Sequence, residues 1–221
     1  MVIVDIDDLR QVIEEAILAE QAASTLESHL KNRLRCLHHS IHFSRCDSVR
    51  VLHDFVVRYA RHVPDFLEAL TAYQGDFLEQ ELVDPLVAIG VEFFAQSPSL
   101  FAGHSGMLAI MDRSYLAHRL LEEINCLFIG RFGRPLAPMD MTRSNLIVHN
   151  LIGEPFANQL DEKVELIVAR LQSNWLASGL DRDTVARVAR SRAPGVAWPC
   201  FTANEALDLL FATQEPKPPP H

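Results

Sequence analysis

The sequence predicts an all-α protein, a bundle of about eight helices with a long N-terminal helix. Three observations lead to this fold class. The chain has 221 residues, 48% of them hydrophobic, which is enough to bury one sizeable core. It has only 9 Gly and 12 Pro, four of the Pro in the last six residues, so few turn formers remain for a multi-stranded fold. Apolar residues also recur at helical spacing along most of the chain, and no segment alternates as a strand would.

The same pattern predicts the domain organisation. Helical periodicity extends over most of residues 1–212, without an internal repeat, and is expected to form a single helical domain. Residues 213–221 are rich in proline and end in PKPPPH, so we expect a disordered tail there.

The first predicted helix is the longest, at about residues 7–43. It begins at Asp7 or Asp8, either of which can cap its N-terminus. Its apolar positions alternate at three and four residues from Leu9 to Leu30, and many of them are Ala, which allows a second helix to approach closely. This helix is therefore predicted to be the spine of the bundle or the contact of a homodimer.

Four cap signals mark the next helix starts. Asp47 or Ser48 begins a second helix, which Pro64 kinks or restarts before it ends at Gly75. A capping box at 76–79 begins a third helix. Residues 84–85 and 97–98 each place a cap residue before Pro, and both predict a fresh helix start.

Five further helices are predicted in the second half of the chain. The first covers residues 105–129 and is closed by Gly130. After a proline-containing loop at 131–139, Asp140 caps a helix that Gly153 terminates. A helix then starts near Pro155 and stops at Gly179. A short basic helix at 181–191 follows, and a capping box at 202–205 begins a last helix through 211.

Composition excludes several classes of function. The formal net charge is −9 with a pI near 5.5, and no stretch combines dense Lys and Arg with aromatic residues, so nucleic acid is not an expected partner. Charges interrupt every apolar run well before the length of a membrane span. The four cysteines form no C-x-x-C pair and the N-terminus lacks a signal-peptide pattern, which predicts reduced thiols in the cytoplasm.

The helix at 105–129 is predicted to be nearly surrounded by protein. Its apolar residues cover most of its circumference and leave Asp112, Arg119 and Glu123 as an exposed strip. Polar residues at three- and four-residue spacing fall within the apolar part; they are Tyr115, His118, Glu122 and Asn125. A carboxylate and an imidazole in such a position must be paired, bound to metal or shifted in pKa.

The helix after Asp140 carries a matching polar stripe of Thr142, Asn145 and His149, and Glu154 follows the Gly153 break. If the two helices are antiparallel neighbours, four potential metal ligands converge, namely His118, Glu122, His149 and Glu154. Two imidazoles and two carboxylates suit Zn, Fe or Mn, or else a small ligand. Tyr115, Asn125 and Asn145 would then orient these groups. The alternative is a buried polar network that only fixes helix register.

A second histidine cluster lies in the segment CLHHSIHFSRC. In a continuous helix, His38, His42 and Cys46 would form a row at four-residue spacing, with Cys36 and His39 beside it. The neighbouring arginines at 33, 35 and 45 would repel a cation. The segment is therefore interpreted as a solvated helix end rather than a metal site.

Two functions from different classes follow from these observations. The first is a bundle that binds a metal or small ligand in a His/Glu pocket, with no reaction assigned. The second is an interaction or regulatory protein without a catalytic site that dimerises through its N-terminal helix. No dinucleotide, phosphate-loop or nucleophile-elbow motif is present. The Gly-bearing turn at 103–106 is interpreted as an interhelix connection rather than an anion site.

Overall fold

The computed structural model describes residues 5–43, 47–72, 77–95, 103–133, 135–177, 198–201 and 207–209. Within them it confirms the predicted all-α bundle, with seven helices and two three-residue strands. The helices are α1 (Ile6–Ala23), α2 (Thr25–Arg33), α3 (Ser48–Ala72), α4 (Phe77–Ala95), α5 (Gly106–Phe132), α6 (Thr142–Ile152) and α7 (Phe156–Ala177). The strands are β1 (Ile41–Phe43) and β2 (Leu207–Leu209). None of the described helices is long and apolar enough to cross a membrane.

Helix α5 lies at the centre of the bundle and contacts each of the other six helices described. Its side chains at Met107, Met111, Leu116 and Ile124 are completely buried in one continuous apolar core. The prediction that this helix is nearly surrounded by protein is therefore confirmed. Any polar side chain on α5 that is not at a gap between neighbours has to find its partners inside the protein.

The predicted single helix over 7–43 is wrong, because the chain breaks at Ser24. Ser24 has the left-handed backbone conformation, with φ of 49°. The carboxylate of Glu20 accepts the backbone N–H of Leu26 at 2.8 Å and the hydroxyl of Thr25 at 2.7 Å. Glu20 thus supplies the N-terminal cap of α2 from the last turn of α1, which offsets the lost helical bonds.

A second difference lies beyond α2, where the predicted helix gives way to turns and β1. Strand β1 pairs antiparallel with β2, Ile41 opposite Leu209. The last predicted helix is therefore wrong at 207–209, which are extended. The chelating row also fails, since His38 lies before a turn, with its Nδ1 2.7 Å from Ser40 Oγ, and His42 lies in a strand. Cys46 lies outside the described residues.

The prolines do not divide the helices as predicted. Pro64 lies inside a continuous α3 and Pro85 inside a continuous α4. A proline removes one backbone hydrogen bond, and the apolar faces on both sides of it are buried against the same core, which holds each helix together. The predicted start signals at residues 76 and 97–98 lie outside the described residues.

The ends of α5, α6 and α7 follow the predicted signals with one shift. Gly133, not Gly130, ends α5, with φ of 72°. Asp140 accepts the backbone N–H of Thr142 at 3.0 Å and so helps to start α6, and Gly153 ends it. Helix α7 begins directly after Pro155. The predicted stop at 179 and the basic helix at 181–191 lie outside the described residues.

Helix α2 closes the C-terminal end of α6. Arg33 Nη2 donates to the carbonyl of Asn150 at 2.6 Å, and His29 Nε2 donates to the carbonyl of Leu151 at 2.8 Å. A Cβ atom at Gly153, which has φ of 89°, would lie 2.7 Å from the Arg33 guanidinium carbon. Glycine is therefore required here both by its backbone conformation and by the arginine that satisfies the end of α6.

Candidate functional site

His118 lies completely buried between α5 and α3 and does not pair with Glu122. Its Nε2 is 3.0 Å from Nδ1 of His62, and its Nδ1 is 2.9 Å from the backbone carbonyl of Ser114. Side chains on a helix lean toward its N-terminus, so the imidazole covers the turn before it rather than the turn that carries Glu122. We refer to His62 and His118 as the histidine pair.

The bonds of the histidine pair fix its tautomers. A carbonyl can only accept, so His118 Nδ1 carries a proton and its Nε2 accepts from Nδ1–H of His62. In this tautomer His62 Nε2 is unprotonated, so its 3.4 Å approach to the carbonyl of Pro199 is not a hydrogen bond in the neutral pair. Burial lowers the pKa of His62, and it lowers the pKa of His118 well below its usual value, with a further contribution from His62. The pair is therefore neutral at neutral pH.

Sequence reasoning missed His62 although a signal was present. His62 is buried on the face of α3 that also carries Tyr59, Val63 and Phe66. A histidine within such an apolar face needs a polar partner, and the aromatic rings of Tyr59 and Phe66 both lie against His118. The pattern identifies His62 as buried but does not identify its partner on a distant helix.

Glu122 faces α6, and three donors from α5 and α6 hold its carboxylate. Asn145 Nδ2 donates to it at 2.6 Å, Thr142 Oγ1 at 2.8 Å and Arg119 Nη1 at 2.6 Å. The side chain of Glu122 is 18% exposed. The predicted approach of the two polar stripes is thus present for Glu122 and Asn145, in a hydrogen-bonded form.

The bonds of Glu122 extend into a larger polar network. Asn145 Oδ1 accepts the hydroxyl of Tyr59 at 2.6 Å. Asp161 on α7 accepts Arg119 Nε at 3.1 Å and the hydroxyl of Tyr115 at 2.8 Å. Burial and Asp161 raise the pKa of Tyr115. Burial acts to lower the pKa of Arg119, but Glu122 and Asp161 raise it overall. We call this set the polar network; it consists of Tyr59, Tyr115, Arg119, Glu122, Asn145 and Asp161.

His149 lies at the edge of the polar network, and Glu154 is apart from it. His149 Nε2 is 3.0 Å from Asn158 Oδ1 and 3.5 Å from Asp161 Oδ2. Glu154 is exposed in the turn before α7. The structure does not bring the four predicted ligands together. Among the residues it describes, no group of three His, Cys, Asp or Glu side chains is placed to hold a metal ion.

Asn125 holds a loop rather than the polar network. Its Nδ2 donates to the carbonyl of Ala137 at 2.8 Å, and its Oδ1 accepts the N–H of Ala137 at 3.0 Å. This two-bond contact fixes residues 135–141 against α5. A buried amide that bonds both groups of one backbone residue stabilises the loop.

The predicted exposed strip on α5 is wrong for two of its three residues. Asp112 is completely buried, because His104 folds back from the start of α5 and its Nδ1 lies 2.6 Å from Asp112 Oδ2. Arg119 is half-buried by its bonds to the polar network. Only Glu123, at the C-terminal end of the strip, keeps substantial exposure. Periodicity could not identify the partners at 104 and 161, which lie outside the helix.

A pocket of about 450 Å³ lies between α5 and residues 135–142. Leu121, Ile129 and Met139 contribute to its apolar wall, and the Glu122 carboxylate lies at its polar side. Ligand-binding clefts commonly have volumes of about 300–1,000 Å³ and combine apolar walls with a few polar groups. The pocket has both properties. No family model, curated protein or solved structure matches this chain.

Proposed function

We propose that this protein binds a small organic ligand in the pocket between α5 and residues 135–142. The observation that carries this proposal is a half-buried carboxylate, Glu122, held by three donors at the wall of a mostly apolar cavity. A carboxylate that is already oriented loses little conformational freedom when a ligand binds. The apolar part of the ligand would contact Leu121 and Met139.

The charge of the wall favours a ligand with a cationic or hydrogen-bond donor group. Glu122 and Asp140 both line the pocket, and the described lining contains no Lys or Arg. The protein as a whole also has a net charge of −9. An anionic ligand would be repelled by the two lining carboxylates and by the net negative charge. We therefore expect an amine to bind better than the matching carboxylate.

The proposal favours an organic ligand over the metal ion that the sequence also allowed. A Zn, Fe or Mn site would need the imidazoles of His118 and His149 to converge on Glu122, and His118 is instead bonded to His62 on α3. The carboxylate of Glu122 is instead bonded to an amide, a hydroxyl and a guanidinium. No reaction is assigned to this pocket.

Cys126 provides a direct test, because its side chain lines the pocket and its thiol is free. Alkylation by iodoacetamide can be followed at each cysteine by mass spectrometry, with a library of fragment-sized primary amines and the matching carboxylates. We expect some amines to slow the alkylation of Cys126 and to leave exposed Cys36 unaffected. Protection by no compound, or equal protection of both cysteines, would contradict the proposal.

A pair of matched variants removes the pocket without removing Glu122. Cys126→Phe places a large side chain in the cavity, and Cys36→Phe makes the same change at an exposed position elsewhere. An amine identified by the protection experiment should raise the unfolding midpoint of the wild type and of Cys36→Phe. It should not raise that of Cys126→Phe.

A second candidate function is self-association through α1. Leu9, Leu26 and Leu30 of the predicted Ala/Leu seam are buried within the chain, but Leu18 is 62% exposed on α1. If this side chain forms part of a homodimer contact, Leu18→Glu should shift the mass in sedimentation toward monomer. Leu166→Glu, at a leucine of α7 that is 72% exposed, is the control. A wild-type monomer would exclude this function.

A cytoplasmic location belongs to the same proposal. Cys36, Cys126 and Cys200 are free and exposed, and exposed thiols persist in a reducing compartment. Fractionation of the host cell, followed by thiol labelling of the recovered protein, would test this location. Recovery with oxidised cysteines in an extracytoplasmic fraction would contradict it.

A further inference from the structure

A second polar site lies at the start of α5, outside the pocket and the polar network. His104 Nδ1 donates to Asp112 Oδ2 over 2.6 Å. Asp112 is completely buried, and its other oxygen, Oδ1, has no hydrogen-bond partner in the part of the chain that the structure describes. A buried carboxylate with a single imidazole partner is costly to maintain, which is characteristic of an orienting group in an acid–base site.

The bond to Asp112 determines the state of the imidazole. With its proton fixed on Nδ1, neutral His104 carries its lone pair on Nε2. The His104 side chain is 24% exposed, so part of the imidazole faces solvent. The other described pairs of histidine with aspartate are looser: His53 lies 3.8 Å from Asp54, and His149 lies 3.5 Å from Asp161.

We propose that His104 and Asp112 form a general-base centre that activates water for the hydrolysis of small carboxylic esters. His104 is the catalytic residue, and Asp112 is a positioning residue that fixes its tautomer. The ring of Phe156, 5.3 Å from that of His104, offers an apolar surface for the ester. Ser105 follows His104 in the chain, and its side chain makes no hydrogen bond to the first turn of α5. The backbone N–H groups of that turn can therefore donate to the oxyanion that develops on the ester carbonyl.

The proposed step balances without any additional reactant. His104 Nε2 takes a proton from water as the water oxygen forms a bond to the ester carbonyl carbon. The carbonyl oxygen becomes an oxyanion in the tetrahedral intermediate. The bond to the alcohol oxygen then breaks, and the imidazolium returns its proton to that oxygen. The products are one carboxylic acid and one alcohol, and His104 is again neutral.

This centre is independent of the proposed ligand pocket, because it shares no residue with it. Its charge environment comes from the helices around it: His29 of α2 and Arg113 of α5 both act on the Asp112 carboxylate. Burial raises the pKa of Asp112, whereas the bond to Asp112 raises the pKa of His104. The fraction of His104 in its neutral, basic form should therefore rise with pH, over a pH range that lies above the titration range of an ordinary histidine.

The test measures hydrolysis of p-nitrophenyl acetate by the full chain as a function of pH. We expect His104→Gln to lower the rate by about a hundredfold, the lower end of the usual effect of a general base. His53→Gln removes another half-exposed histidine beside an aspartate and should leave the rate unchanged. An unchanged rate in His104→Gln, or an equal loss in His53→Gln, overturns the proposal.

Asp112→Asn tests the positioning role separately. The amide cannot hold the imidazolium as the carboxylate does, so the midpoint of the pH–rate profile should move down and the plateau should fall. Circular dichroism establishes that the variant is folded. A folded Asp112→Asn protein with the wild-type midpoint and plateau overturns the role of Asp112. If the variant does not fold, the pH profile of carbethoxylation of His104 in the wild type decides: an ordinary histidine midpoint overturns that role.

Discussion

Consecutive residues of α5 belong to two polar regions with opposite electrostatic character. His118 belongs to the histidine pair, which is buried and whose pKa values are lowered by burial. Arg119 belongs to the polar network, where carboxylates at the protein surface keep the guanidinium charged. The two side chains leave the helix about 100° apart, and this rotation alone places one in the core and the other at a gap between α6 and α7.

The comparison shows how burial decides whether a polar contact is neutral or ionic. In the histidine pair burial outweighs the charge of Asp65, which acts on His62, so the neutral form is the stable one. In the polar network Arg119 bonds to Glu122, Glu123 and Asp161, and partial exposure lowers the cost of keeping these charges. The first region contributes packing and specificity, whereas the second presents a carboxylate to a pocket.

The largest effect is expected when the histidine pair is broken. His118→Ala leaves a cavity against the rings of Tyr59 and Phe66 and removes the acceptor of His62 Nδ1. We expect a loss of about 3 kcal/mol in the free energy of unfolding, measured by urea denaturation. His149→Ala, at a half-exposed imidazole, is the control and should cost far less. A loss below about 1 kcal/mol for His118→Ala would mean that this ring is not in the core.

A smaller effect is expected when the polar network loses its cation. Arg119→Met keeps much of the side-chain volume but leaves Glu122 and Asp161 without their common partner. Breaking a fully buried pair costs about 3–5 kcal/mol, and the partial exposure of these side chains should reduce the loss to about 2 kcal/mol. Urea denaturation at low and high salt tests whether the loss of stability arises from charge or from packing. Equal losses at both salt concentrations would indicate packing rather than charge.

The pH dependence of stability separates the two regions. The histidine pair is neutral in the folded protein, but an unfolded histidine binds a proton below about pH 6.5. Lowering the pH through that value therefore favours the unfolded state, by about 1 kcal/mol per pH unit for each histidine that stays neutral. His104 has the opposite sign, since its raised pKa stabilises the fold at low pH and this contribution is lost as pH rises through the folded value.

Denaturation between neutral and mildly acid pH, in the wild type and in His62→Gln, isolates the contribution of the histidine pair. The variant lacks one of the two neutral histidines, so its stability should fall less steeply as the pH is lowered. An identical slope in the two proteins would show that His62 is protonated in the folded state. His104→Gln is the complementary control, and it should make the decrease steeper.

The contrast also explains which parts of the molecule the sequence could predict. The central position of α5 followed from apolar residues around most of its circumference, and the approach of Glu122 to Asn145 followed from matched polar stripes on neighbouring helices. Both are properties of helical periodicity, which needs only local sequence. The same reasoning placed His118 beside Glu122, because spacing alone does not say that an imidazole bonds back to the carbonyl of Ser114.

The features that sequence reasoning missed depend on partners far along the chain. Asp161 joins the polar network from α7, and His62 reaches His118 from α3, more than 40 residues away in each case. The break at Ser24 was missed for a different reason. The carboxylate that stabilises it, Glu20, lies four residues earlier in a heptad pattern that continues through the break. Side-chain capping from within a helix leaves the apolar periodicity intact.

The smallest effect is expected for Glu122→Gln. The amide oxygen can still accept from Asn145 or Thr142, and Arg119 keeps its bonds to Asp161 and Glu123. We therefore expect a loss of no more than about 1 kcal/mol, as for a partly exposed ion pair. The measurement is the thermal unfolding midpoint of wild type and variant with and without added Zn²⁺, Mn²⁺ or Fe²⁺.

Glu122 belongs either to the hydrogen-bonded polar network or to a metal site, and these two explanations predict different effects of metal ions in that experiment. The carboxylate of Glu122 is already bonded to an amide, a hydroxyl and a guanidinium, and no group of three His, Cys, Asp or Glu side chains among the described residues is placed to hold a divalent ion with it. Metal ions should then leave the midpoints of both proteins unchanged. A midpoint that rises with metal in the wild type but not in Glu122→Gln would instead require these donors to rearrange around a bound ion. The polar network would then be a metal site rather than a set of ion pairs and hydrogen bonds. The comparison of an ionic network with the neutral histidine pair would no longer hold.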